Sequence, residues 1–325
     1  MRKGLKLLAI PSVIFVTAQI APATEFHLYF LGGQSNMEGY GRVEKLPAAL
    51  GAIQNEVLIF HGNPSPDGSP AGGIGLWSKL KPGHGYRFRS NGSDNKYSER
   101  FGIELTFARQ IAKRFPDRRI AILKYANSGT SLDPAAAGDF GCWDPSPLIP
   151  TGLAWIQGRS NANRGLRQTN QFDYFLKALE QAQADEDIDG DGQPDKLIPS
   201  GIAWIQGESD AHHGREIANR YRSNLNRLLR ELRMALGDDD LHIALGRVSP
   251  AQLPDLFWKH LDLIRAAQAG FAREDHNTTL ITSSDTYGFS DAWHYNAEGY
   301  MDLGQKFGDA LADLELRGNE NNESP

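Results

Sequence analysis

A chain of 325 residues, 40% hydrophobic and 23% charged, carries enough apolar material for one large core or two modest ones. Thirty-four Lys and Arg stand against forty Asp and Glu, a net charge of −6 with no basic stripe, which argues against a nucleic-acid partner. Cys142 is the only cysteine, so an intrachain disulfide is impossible and stability must come from the core or from a metal.

The chain opens with Arg2, Lys3 and Lys6, followed by an apolar run from Leu7 to Ala21 and the small-x-small triplet Ala21-Pro22-Ala23, the pattern of a cleaved signal peptide. Pro11 and Gln19 interrupt a run already short of the ~20 residues a membrane span needs, so an anchor is the weaker reading. No later run is long and apolar enough to span a bilayer. The expected mature chain starts near Thr24, is secreted or periplasmic, and forms one domain over residues 24–316 with a polar, frayed tail over 317–325.

The first predicted strand, Phe26 to Leu31, runs straight into Gly32-Gly33-Gln34-Ser35-Asn36-Met37-Glu38-Gly39. Two glycines permit a tight turn. A serine just past a strand, at a helix start, exposes its hydroxyl beside backbone N–H groups, which is the setting an oxyanion needs. The same segment also reads as an N-cap serine behind a Gly-rich turn. It is not the G-x-S-x-G elbow, because Met37 stands at the second Gly position, and no Gly-Lys-Ser/Thr follows to make a phosphate loop.

A strand at Val57 to Phe60, a helix at Phe101 to Phe115 and a strand at Ile120 to Tyr125 come next. Around them lie two long stretches rich in Gly, Pro, Ser and Asn, Asn63 to Tyr97 and Ser128 to Asn170, expected to form the walls of a cleft. Their aromatic residues Trp77, Tyr86, Trp143 and Trp155 either stack on sugar rings or simply pack, and packing is the simpler reading for any one of them.

After a helix at Phe172 to Gln183, Asp187, Asp189, Asp191 and Asp195 occupy positions 1, 3, 5 and 9 of a loop with Gly192 at position 6. Oxygen ligands converging on a tight turn suit a structural calcium ion, although Ile198 stands where an EF-hand has its bidentate Glu; the other reading is a solvated acidic turn. The strand Ile202 to Ile205 leads into Gln206-Gly207-Glu208-Ser209-Asp210. There Gln206 offers two N–H groups to an oxyanion, with Glu208 and Asp210 in support, or the segment is a polar loop with Asp210 as a cap. A near copy, Gly152 to Gly158, has Arg159 in place of Glu208 and is assigned no chemistry.

Ile217, Tyr221, Leu225, Leu228, Leu232 and Leu236 mark the buried face of a helix. A strand at His242 to Leu245, a helix at Phe257 to Phe271 and a strand at Thr279 to Thr282 follow. Asp291 and His294 are three apart, so one turn brings both side chains to one side, where the carboxylate fixes the imidazole tautomer. The alternative is a surface Asp beside a packed His. Asp210 with His212 and His213 raises a metal-dependent hydrolase, with a spacing that fits no zinc site. A helix from Ala297 to Leu314 closes the pattern. The alternation of near-continuous apolar strands with helices predicts an α/β domain whose parallel sheet is covered on both faces, with the site at the carboxyl ends of the strands.

Taken together, Gly-Gln-Ser-Asn-Met, Trp-x-Gln-Gly-Glu-Ser-Asp and Asp-x-Trp-His-Tyr resemble the sialate O-acetylesterase and acetylxylan esterase group, carbohydrate esterase family 6 and its relatives in the SGNH hydrolase superfamily. The resemblance spans about Phe26 to Leu314. It implies Ser35 as nucleophile, His294 as general base and Asp291 as the residue orienting that base. It also implies an oxyanion hole from the N–H groups of Ser35 and Gly129, the latter in Asn127-Ser-Gly-Thr-Ser131, with the Gln206 amide. Glu-Ser-Asp stands in place of the superfamily's usual Asn-Asp, a departure typical of this subgroup. The implied fold is a three-layer α/β/α sandwich with a flavodoxin-like parallel sheet. The implied function is a secreted serine esterase acting on O-acetylated carbohydrates through an acyl-enzyme, with no cofactor for catalysis; the alternative is an inactive carbohydrate-binding protein on the same fold.

Overall fold

The strand-and-helix alternation appears as predicted in the computed structural model, which describes residues 23–51, 54–145, 169–249 and 257–323. Residues 1–22 of the expected leader, the segment 152–158 and Trp155 lie outside the described residues. Seven strands make the main sheet: β1 Thr24–Gly33, β2 Gln54–His61, β3 Trp77–Leu80, β4 Arg119–Ala126, β5 Asp195–Ile205, β6 Ile243–Gly246 and β7 Thr278–Ile281. Their spatial order is β7-β6-β5-β1-β4-β2-β3, parallel throughout except for β3, which pairs antiparallel with β2 at the edge. Sequence periodicity misses β3 for a physical reason. Its four residues bury Trp77 and Leu80 at its ends and leave Ser78 and Lys79 outward, so no alternation is present to read.

Helices α1 Glu104–Arg114 and α5 Ala297–Glu323 cover one face, and α2 Gln171–Ala184, α3 Arg215–Leu236 and α4 Leu261–Glu274 cover the other, which gives the three-layer α/β/α sandwich. The central strand shows why its sequence is apolar without a break. Leu28 and Phe30 join Phe175, Leu225 and Ile264 on one side, while Tyr29 and Leu31 join Phe107, Leu303 and Leu311 on the other. Each fully buried Leu or Phe of this kind contributes about 1.5–3 kcal/mol relative to exposure. At the C-terminus α5 continues past Gly318 to Glu323, where the polar composition alone predicts a frayed tail from residue 317. Polar residues without a proline or a local cap do not by themselves end a helix. No described helix is long and apolar enough to cross a membrane.

The chain leaves β1 for β2, returns to β4 beside β1, and then crosses to β5 on the other flank. The strand order therefore reverses at β1, and the crevice outside its carboxyl end is where an open α/β sheet accepts a ligand. Ser35 follows β1, Ser128 and Gly129 follow β4, and Gln206 follows β5.

Candidate active site

The turn after β1 is made by Gly33. Its φ of 144° is open to glycine, and a Cβ there would stand 2.0 Å from the carbonyl oxygen of Ile205. The next N–H, that of Gln34, donates to the same Ile205 oxygen at 3.1 Å, so β1 and β5 end in contact. One helical turn, Ser35–Glu38, then carries the nucleophile candidate, whose residue is 7% exposed.

At the other end of the chain, Asp291 accepts the backbone N–H groups of Trp293 and His294 on one oxygen, both at 2.9 Å. Its second oxygen lies 2.8 Å from Nδ1 of His294. An ionised carboxylate only accepts, so Nδ1 carries the proton and Nε2 is left with its lone pair. Burial pushes the His294 pKa below its ordinary value, and Asp291 pulls in the opposite direction without cancelling it. Burial also acts to raise the Asp291 carboxyl, but the hydrogen bonds from His294 and from the backbone N–H groups of Trp293 and His294 together leave it below its usual value.

Asn36, the residue after Ser35, ties the two ends together. Its amide donates to Glu208 at 2.8 Å and to the carbonyl of Trp293 at 3.3 Å, and it accepts from the Tyr300 hydroxyl at 3.0 Å. Glu208 is buried, its carboxyl raised by that burial, so its bond to Asn36 holds the nucleophile segment against the end of β5. Among the described residues no hydrogen bond joins Ser35 Oγ to His294, a contact that is often long before substrate binds.

Gly129 adopts a left-handed φ of 75°, and among the described residues neither its N–H nor that of Ser35 has an acceptor. Gln206 is different. Its amide nitrogen donates to Thr130 O at 3.0 Å and to Asp210 at 2.8 Å, which uses both hydrogens. This corrects the expectation that Gln206 completes an oxyanion hole, because the amide is turned into the wall. Asp210 is the centre of that wall. It is fully buried, it accepts the N–H groups of Leu132 and Asp133, and burial pushes its carboxyl up to about 6. Asp210 thus fixes the loop that carries Gly129 to the end of β5.

Four residues that the motif reading did not single out belong to the same network: Asn36, Glu38, Tyr40 and Ser128. Asn36 and Glu38 are legible as polar side chains inside a turn flanked by apolar elements, Ser128 lies in the Asn127–Ser131 segment without a role read from it, and Tyr40 carries no sequence signal. The metal-hydrolase set does not converge. His212 Nδ1 is 2.9 Å from Phe257 O, His213 Nδ1 is 2.7 Å from Ser209 O, and Asp210 faces the opposite way.

In the acidic loop, carboxylate oxygens of Asp187, Asp189 and Asp195 lie within 4.8 Å of one another. Asp191 stands outside that group and accepts the N–H of Gln193 at 2.8 Å. Of the loop aromatics, Trp77 and Trp143 are core residues, and Tyr86 is half-buried against Tyr40. The exposed rings beside the site are Trp293, next to His294, and Phe140, which packs over Gly129.

Residues 25–313 match the family model described as carbohydrate esterase, sialic acid-specific acetylesterase. A search among curated protein sequences finds no match. Among solved structures, a protein of Arabidopsis thaliana is similar at a TM-score of 0.58 and 18% identity, covering 90% of this chain and 99% of that one. A carbohydrate acetylesterase of Xanthomonas citri is similar at a TM-score of 0.56 and 16% identity, covering 90% of this chain and 56% of that one. NanS is similar at a TM-score of 0.52 and 13% identity, covering 93% of this chain and 100% of that one. At these identities the likenesses speak for the fold, and the family model, which spans most of the sequence, speaks for kinship. The chain belongs to the sialic acid-specific acetylesterase family of carbohydrate esterases.

Proposed function

We propose that this esterase is a secreted serine enzyme that removes O-acetyl groups from carbohydrates through an acyl-enzyme. The observation that carries the reading is the bonded Asp291–His294 pair, anchored through Asn36 to the turn that bears Ser35. Ser35 Oγ attacks the acetyl carbonyl carbon while His294 Nε2 takes its proton. The N–H groups of Ser35 and Gly129 face the oxygen that becomes negative. Collapse of the tetrahedral species breaks the bond to the sugar oxygen, and His294 returns the proton to that leaving group. Water then attacks the acetyl-enzyme by the same route and releases acetate. Trp293 and Phe140 supply exposed faces for an adjoining sugar ring. Acetate release by the parent, by Ser35→Ala and His294→Ala variants and by the parent under chelator tests the reading; full activity in Ser35→Ala would sink it.

The pH dependence follows from His294, which must be neutral to accept a proton. Burial lowers its pKa, so it stays neutral further into acid than a free imidazole. The acidic limb of kcat/KM is therefore expected below the ordinary histidine value of about 6.5. A limb above that value would contradict the site as described.

Export is supported by the basic start, the apolar run and Ala21-Pro22-Ala23. Protein recovered from outside the cytoplasm should begin near Thr24, as N-terminal sequencing would read. A structural calcium ion between Asp187, Asp189 and Asp195 is supported by their converging oxygens and by the second Asp195 oxygen, Oδ1, which is buried without a partner among the described residues. Calcium is then expected to raise the melting temperature relative to the chelator-treated protein, and equal melting curves would remove the ion from the account. The loop precedes β5, at the opposite end of that strand from Gln206, so catalysis in the folded protein should not depend on it.

A further inference from the structure

His294 is gripped on two sides. Asp291 holds its Nδ1, and the ring of Tyr40 lies flat against it, 3.5 Å between centroids and 4° from parallel. Tyr40 is itself well anchored. Tyr86 stacks on it at 4.4 Å, and Arg100 donates to its main-chain carbonyl at 2.7 Å. Its hydroxyl lies 2.9 Å from Ser128 Oγ. Ser128 in turn donates both its hydroxyl and its N–H to one oxygen of the buried Glu38 carboxyl. A serine hydroxyl has a single proton, and here Glu38 receives it, so Tyr40 is the donor in its bond to Ser128. The result is a directed chain from Tyr40 O–H to Ser128 O–H to Glu38, in which each bond polarises the next. A phenol that donates in this way has a more electron-rich ring face, and such a face attracts a cation.

We propose that Tyr40 is a positioning residue that stacks on His294 and stabilises its cationic form, with Ser128 and Glu38 setting the polarity of the phenol ring. The proposal rests on the reading of His294 as general base. In turnover the imidazolium forms when His294 takes a proton from Ser35, and again when it takes one from water, and it persists until that proton passes to the departing oxygen, so stabilising it acts on the reaction and not on substrate binding. The other groups facing His294 divide in sign. Burial opposes the cation most, Asp291 on its own loop favours it, and Arg100 opposes it weakly. Tyr86 acts only through Tyr40, and among the described residues Tyr40 has the one ring stacked on the imidazole.

Two variants isolate the chain of hydroxyls. Tyr40→Phe keeps the ring, its stack and its burial but removes the donor. Ser128→Ala leaves the ring untouched and keeps the N–H bond to Glu38. In both, a titration of the imidazole nitrogens by NMR on the full chain should place His294 at lower pH than in the parent. The acidic limb of kcat/KM should move the same way, because a less favoured cation loses its proton more readily. On an acetyl ester, kcat should fall about threefold with KM unchanged, as expected for one weakened cation–π contact. The double variant should be no worse than the more affected single one, because both changes cut one chain. If His294 titrates as in the parent in both variants, Tyr40 is packing alone and the proposal is overturned. The NMR reading does not need turnover, so a parent without esterase activity would remove the serine mechanism while the titration still decides on Tyr40. If Tyr40→Phe does not fold, Ser128→Ala alone carries the test.

Discussion

Replacing Ser35 with Ala is expected to lower kcat on an acetylated sugar by at least about 10⁴-fold while leaving the fold intact. Without the nucleophile only the backbone N–H groups and substrate binding remain to help water, and such a remnant keeps a small fraction of triad catalysis. Ser35→Ala preserves its own N–H, so the loss isolates the hydroxyl. Stability should not change, because among the described residues Ser35 Oγ makes no hydrogen bond that the substitution would break. His294→Ala is expected to cost a similar factor, and the pair together little more than either alone, since the two act as a unit. Asp291→Asn should also be severe for a specific reason. The amide in place of the carboxylate that now accepts Nδ1–H at 2.8 Å allows the wrong tautomer, with the proton on Nε2. Purified variants assayed for acetate release, with melting curves alongside, provide the check. Activity within tenfold of the parent in Ser35→Ala would remove Ser35 from the chemistry.

Much of this site is legible in the sequence because the fold brings the ends of different strands to one edge. Ser35, Gln206 and the Asn127–Ser131 segment each follow an apolar run, and parallel strands covered on both faces deliver such runs side by side. Asp291 and His294 are legible for a local reason, their spacing of three. What is not legible is the direction of side chains that answer to distant partners. Gln206 stands at the strand end as its motif implies, but whether its amide faces the crevice or the wall depends on Thr130 and Asp210. Tyr40 meets Ser128 across 88 positions, and neither residue type announces the contact. The aromatic residues of the long polar stretches follow the simpler reading: Trp77, in β3, and Trp143 pack into the core, and among the described tryptophans the exposed one is Trp293. The helix runs on to Glu323 where a frayed tail is expected from residue 317, because polar composition alone supplies no stop signal.

Lys124 also looks out of place in the sequence, a charge within the apolar run of β4, and its substitution should have the largest effect on stability. Its side chain and that of Glu104 are both completely buried, 2.7 Å apart. The ammonium makes two more bonds, to His84 O at 2.8 Å and to Glu38 O at 3.0 Å, so each of its hydrogens has an acceptor. Glu104, at the start of α1, uses its other oxygen to accept the N–H of Gly102 at 2.9 Å. Lys124→Met would therefore leave a buried carboxylate and two carbonyls without their donor, at a cost of about 3–5 kcal/mol. Glu104→Gln should be destabilising in the same sense, because the ammonium then lacks its counter-charge. Making both substitutions together should cost less than the sum of the two, since no unpaired charge remains buried. Denaturant midpoints at constant slope measure all three, and a single-variant loss below 1 kcal/mol, or strict additivity of the pair, would contradict the arrangement. The consequence reaches the chemistry through Glu38. Its carbonyl, at the end of the turn that begins at Ser35, accepts from Lys124, and its carboxyl holds Ser128 beside Gly129. Folded Lys124→Met protein should accordingly lose kcat as well as stability, through a loosened nucleophile turn and an oxyanion loop no longer fixed to it.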